Sequence, residues 1–118
     1  MENHKLVLPE HLNQYGYLFG GNLLKWVDEI AWIAASLDYP GCNFVTIGLD
    51  KVEFRRSVKK GTILKFTTEK SGEGTTSIQY FVRVYHGNSE GGKEDLIFST
   101  HVTYVRIDEE GRKIPLSK

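Results

Sequence analysis

Between Gly21 and Leu37 lies the only stretch of this chain whose apolar residues recur with a helical period, and after Pro40-Gly41 the period drops to two. At 100° per residue, Leu23, Leu24, Val27, Ile30, Ala31 and Ala34 share one stripe, Trp26 and Ile33 widen it, and Lys25, Glu29 and Ser36 face away. So broad an arc predicts a helix buried on most of its circumference, ended by Pro40-Gly41. With no second helix in 118 residues, only a sheet curled around this one can supply that burial.

The strands follow from alternation. Residues 5 to 8, closed by Pro9, predict a short first strand. Residues 43–56 are rich in Val, Ile and Phe, and 62–69, 76–86 and 95–107 alternate Val, Ile, Leu, Phe and Tyr with polar partners. The breaks between these four, at Lys59-Lys60-Gly61, Ser71 to Gly74 and Gly87 to Gly92, are short enough to join antiparallel neighbours. One strand, one long helix and four strands make an α+β chain, read as a single domain over 1–118; no linker or repeat divides it.

Fifteen Lys+Arg balance fifteen Asp+Glu, so no overall field exists to hold nucleic acid or an anionic membrane surface. No apolar run is long enough to span a bilayer, and residues 1–20 lack a basic-then-apolar layout, so a cytoplasmic protein is expected. Cys42 is the only cysteine, and His4, His11, His86 and His101 show no ligand spacing; neither metal nor cofactor is expected. Gly72-Glu73-Gly74 and Gly91-Gly92 lack the following Lys-Ser or Lys-Thr of a phosphate loop and read as turns. Trp26 and Trp32 read as core or interface aromatics.

Chemistry concentrates in His11 to Gly21 and the helix that follows. Gly20-Gly21 sits where first-turn amides have no intrahelical acceptor and can receive an oxyanion; the plainer alternative is that the pair only makes a sharp turn. Asp28 lies about 140° round from Leu23, on the shoulder of the apolar stripe. Helical propensity does not explain an aspartate there, although pairing with Lys25 would. Arg55, Arg56, Lys59 and Lys60 form the one basic cluster. Strand alternation would send Arg55 and Arg56 to opposite faces, so that only one could serve a given site.

Asn13, Gly16, Phe19, Gly20, Gly21, Leu24, Asp28 and Ala31 together resemble the motif of the hotdog-fold acyl-CoA thioesterases, in the branch of broad acyl-CoA hydrolases with an Asn-x-x-Gly-x-x-Phe-Gly-Gly lead into a helix bearing Asp. The likeness continues through Val45-Thr46, Phe54, Val58 and Gly61 to Thr103-Tyr104-Val105, Asp108 and Gly111. It implies a five-stranded antiparallel sheet wrapped around one central helix, dimerised edge to edge, with sites at the subunit interface. It further implies Asp28 as general base or nucleophile, Asn13 contributed by the partner subunit, and Gly20 and Gly21 as oxyanion donors. Phe19, Thr46, Arg55, Arg56 and Lys59 form the expected substrate-binding set for acyl-CoA. The oligomer would be a dimer at least, with a tetramer or hexamer also open. The family often has proline where this chain has Ser57, which leaves the following turn less constrained. A hotdog dehydratase or hydratase would carry a histidine in the loop that here holds Phe19, and a non-catalytic acyl-CoA-binding module would use Asp28 only structurally.

Overall fold

The computed structural model describes residues 1–116. Strand β1 (Glu2–Leu6) and a short 3-10 turn (Pro9–His11) precede helix α1 (Gly20–Asp38), followed by β2 (Asn43–Phe54), β3 (Ile63–Glu73), β4 (Ser77–His86) and β5 (Asp95–Ile107). The five strands form one antiparallel sheet in the order β1-β3-β4-β5-β2. This is the α+β architecture expected, a sheet wrapped around a single helix.

Period-two burial drives the arrangement. Leu64, Phe66 and Thr68 of β3, Ile78, Tyr80, Val82 and Val84 of β4, and Thr100, Val102 and Tyr104 of β5 are all buried and point at α1. The helix answers with Leu23, Trp26, Val27, Ile30, Ala31, Ala34 and Ala35. The small residues Ala31, Ala34 and Ala35 let the bulky strand side chains close onto the helix, and truncating a fully buried ring such as Phe66 to Ala would cost about 3–5 kcal/mol.

Burial of the helix stops short of the expectation. Ile33 is 41% exposed, together with Trp32 and Leu37, so one chain covers the side of α1 nearest the sheet and leaves an apolar flank outside. β1 is also displaced, ending at Leu6 rather than Leu8. Its position is fixed by pairing with β3, from Glu2↔Thr67 to Leu6↔Ile63, after which Val7 turns inward and bonds the Gly61–Thr62 turn. Edge pairing therefore extends over polar residues that carry no alternation of their own.

β2, the other edge, is the irregular strand. Its register against β5 slips between Thr46 and Gly48 and again between Asp50 and Glu53, where Lys51 takes a left-handed backbone (φ 49°). Each slip adds one residue and resets which side chains face inward. The radius of gyration, 15.5 Å, exceeds the roughly 13.5 Å of a compact domain this long, in keeping with an elongated protomer.

Candidate active site

Asp28 lies two turns into α1, on the flank facing β2 and β5. Thr46 of β2 and Tyr104 of β5 are direct cross-strand partners, so their side chains emerge on the same face of the sheet. Both reach the carboxylate: the Thr46 hydroxyl donates to Asp28 Oδ1 at 2.7 Å, and the Tyr104 hydroxyl lies 2.9 Å from Oδ1 and 2.7 Å from the Asp28 carbonyl oxygen. Among the described residues no donor meets Oδ2. A shallow depression of about 300 Å³, lined by Lys25, Asp28, Glu29, Trp32 and Thr46, opens beside it. Burial, reinforced by the Asp28 charge, pushes the Tyr104 phenol far above its ordinary range, so that it remains protonated as a donor.

A second hollow of about 430 Å³ lies at the start of the helix, lined by Asn13, Tyr17, Leu18, Gly20, Leu23 and residues 54–58. The Phe19 carbonyl accepts from the Asn22 and Leu23 amides, and no side chain caps the helix. The Gly20 and Gly21 amides, having no residue a turn back to bond within the helix, are free to meet a ligand. The glycines also sit close under two rings: a Cβ on Gly20 would come within 3.1 Å of the Phe54 ring, and one on Gly21 within 3.0 Å of the Phe19 ring, so either ring would have to shift to admit it. Asn13 organises the preceding loop, its Oδ1 accepting from the Tyr15 and Tyr17 amides at 2.9 and 3.2 Å. Its Nδ2 donates to no group among the described residues.

Of the residues singled out from sequence, Asn13, Gly20, Arg55 and Arg56 line the larger hollow. Asp28 and Thr46 share the smaller one, where Thr46 is a hydrogen-bond partner of the carboxylate. Arg55 and Arg56 are not sent to opposite faces by strand alternation, because β2 ends at Phe54. Past that point the chain is not extended strand, and Arg55 and Arg56 both border one hollow. Lys59 lies in the following turn, its carbonyl accepting from the Thr62 amide, and borders neither hollow. Phe19 is 56% exposed at the helix start. His11 plays a capping part, accepting from the Leu8 amide through Nδ1 and meeting Trp26 edge-on. Asn22, which the helical phase leaves on an exposed first turn, instead donates through Nδ2 to the His11 carbonyl.

Tyr104 is the residue sequence reasoning passed over. It could have been found, since a tyrosine on the inward side of a core strand needs a partner for its hydroxyl, and of the two mid-helix carboxylates Glu29 faces away and Asp28 lies on the shoulder of the apolar stripe. Among the described residues no group of three or more His, Cys, Asp or Glu side chains could hold a metal ion, and no helix is long and apolar enough to cross a membrane.

Comparison with known proteins gives this geometry a context. The chain is 28% identical over 112 residues to an uncharacterized acyl-CoA thioester hydrolase of Bacillus subtilis, covering 95% of this chain and 64% of that protein. It is 30% identical over 117 residues to the human cytosolic acyl coenzyme A thioester hydrolase, spanning 94% of this chain but only 30% of that protein. Among solved structures, the acyl-CoA hydrolase of Staphylococcus aureus in complex with butyryl coenzyme A, coenzyme A and coenzyme A disulfide superposes with a TM-score of 0.88 at 31% identity, over 98% of this chain and 70% of that one. An apo-hexameric acyl-CoA thioesterase superposes at 0.87 and 33% identity, over 98% and 73%. The family model for the thioesterase superfamily matches residues 15–93, from the Asn13 loop through β4, and the chain belongs to that superfamily.

Proposed function

We propose that this protein hydrolyses acyl-CoA thioesters to a free carboxylic acid and coenzyme A. The observation that carries the reading is the Asp28 carboxylate, gripped on Oδ1 by Thr46 and Tyr104 with Oδ2 left open at the surface. Acting as general base, Asp28 takes a proton from water as the water oxygen attacks the thioester carbonyl; acting as nucleophile, it forms an anhydride that water then opens. Either route uses the open oxygen. The negative charge that develops on the carbonyl oxygen falls to the Gly20 and Gly21 amides, and one such donor is typically worth about 3 kcal/mol of barrier. Collapse of the tetrahedral species breaks the C–S bond: on the general-base route the protonated Asp28 returns its proton to the leaving sulfur, and on the nucleophile route coenzyme A leaves as a thiolate that takes its proton from solvent.

Within one chain Asn13 and Asp28 border different hollows, which favours a site completed by a second copy. The surface for that copy is the open edge of β2, with Val45 and Ile47 exposed, continued by the apolar flank of Trp32, Ile33 and Leu37 on α1. The hexameric relative supports an assembly of this kind. Arg55 and Arg56, with no ion pair among the described residues, suit the phosphates of coenzyme A, and the Staphylococcus aureus enzyme binds that molecule. That enzyme was also solved as alanine mutants of an asparagine and an aspartate separated by the same fifteen residues that separate Asn13 from Asp28.

A thiol-release assay over short, medium, long and aromatic acyl-CoAs tests the reading, with Asp28→Asn as its control. The exchange keeps Oδ1 as acceptor for Thr46 and Tyr104 and removes only the base, so turnover should vanish while the melting curve stays close to wild type. An active Asp28→Asn, or a wild type that binds acyl-CoA without releasing thiol, overturns it.

A further inference from the structure

We propose that Tyr104 is a positioning residue for Asp28, holding the carboxylate in the one orientation that presents Oδ2 to substrate. This rests on the hydrolase reading above. The phenol sits toward the C-terminal end of β5, fully buried, with the Phe44 ring edge-on at 6.4 Å. Its hydroxyl spans two acceptors of a single residue, the Asp28 carbonyl at 2.7 Å and the Asp28 carboxylate at 2.9 Å. One group on a rigid central strand thereby fixes both the backbone height of the helix and the rotation of the side chain. Thr46, the other donor, is exposed and sits on the bulged edge strand, so it lacks that rigidity. Kept protonated by its burial, Tyr104 remains a donor. The remaining charged groups at the depression, Lys25 and Glu29, come from α1 itself; Tyr80 of β4 is the other phenol acting on Tyr104.

The fold supplies its own control. Tyr80, on the neighbouring strand β4 and equally buried, donates to Asp38 at 2.6 Å, ten residues and about 15 Å further along the same helix. Losing that hydroxyl is a matched lesion on a different carboxylate of the same helix, outside the residues that line the depression.

Tyr104→Phe and Tyr80→Phe are therefore compared in the full chain. Both should melt a few degrees below wild type. Tyr104→Phe alone should lower kcat about ten-fold with KM within about two-fold, since the donor that orients the carboxylate is gone. The ¹³C carboxyl resonance of Asp28 should move in Tyr104→Phe and stay in place in Tyr80→Phe. In the wild type, the Tyr104 Cζ resonance should change as Asp28 is titrated and lose that response in Asp28→Asn, a measurement that needs no tyrosine variant to fold. Unchanged kcat and resonance in Tyr104→Phe, equal changes in Tyr80→Phe, or a Tyr104 Cζ resonance blind to Asp28 would each overturn the proposal. A wild type that releases no thiol would sink the hydrolase reading, while the two resonances would still decide the positioning.

Discussion

Thr46 and Tyr104, cross-strand partners on β2 and β5, converge on the same oxygen of Asp28, and among the described residues none donates to its other oxygen. The arrangement needs the two strands in register at this point, and the β2 bulge that begins at once after Thr46 is what allows the rest of the edge strand to turn away.

Thr46→Val should separate chemistry from folding. The residue is exposed, so its loss should alter stability by no more than about 0.5 kcal/mol. The lost donor to a charged acceptor corresponds to about ten-fold or more in kcat. Thr46→Ser, which keeps the hydroxyl, should retain most of the activity. Steady-state kinetics beside a urea titration distinguish these, and a Thr46→Val enzyme with full turnover would show that Tyr104 alone suffices.

The fold was legible because one signal dominated it: a single broad apolar helix admits few partners other than a curled sheet, and strands β3 to β5 alternate cleanly. β1 was less so, since Glu2, Asn3, His4 and Lys5 form strand through pairing with β3 rather than through any pattern of their own. At the site, the position of Asp28 on the stripe's shoulder was readable from helical geometry. The grouping of Arg55 with Arg56 was not, because it depends on where β2 stops, and strand ends follow from tertiary pairing. Tyr104 escaped for a related reason: its role depends on register between β5 and β2, and a bulge shifts that register without leaving a mark in composition.

Both arginines should contribute to affinity. Arg55→Ala and Arg56→Ala should each raise KM for acyl-CoA several-fold, increasingly so at low salt, while kcat changes little. Neither should affect a thioester truncated to its pantetheine arm, which carries no phosphate. Kinetics with the two substrates side by side check this; an effect confined to one arginine would restore the opposite-face picture, and an equal effect on the truncated thioester would remove the phosphate role.

Alkaline pH should unlock the sheet-to-helix clamps. Burial raises the phenols of Tyr80 and Tyr104 above their ordinary value of 10.0, and the neighbouring aspartates add to the rise. The folded protein then keeps protons that the unfolded chain gives up, so this stability is fully present below about pH 10 and declines above it, by about 1.4 kcal/mol per pH unit for each phenol. Urea midpoints at pH 9, 10 and 11 should fall steeply in wild type and less steeply in Tyr80→Phe. A slope unaltered by the substitution would mean the phenol ionises alike in both states.

The division of labour between subunits admits a direct count. If Asn13 of one chain serves Asp28 of the other, each site of a two-fold dimer draws one residue from each chain. Asn13→Ala and Asp28→Ala should then each be nearly inactive alone. Refolding the two together in equal amounts makes about half the dimers mixed, and each mixed dimer holds one site with both lesions and one with neither. Activity should therefore recover to about a quarter of wild type. Were both residues drawn from one chain, every site would keep a lesion and nothing would return. Mass spectrometry establishes that mixed dimers formed, and light scattering that the protein is at least dimeric; mixed dimers without recovered activity would sink the shared site, since the hollows holding Asn13 and Asp28 would then have to serve separate ends of one chain.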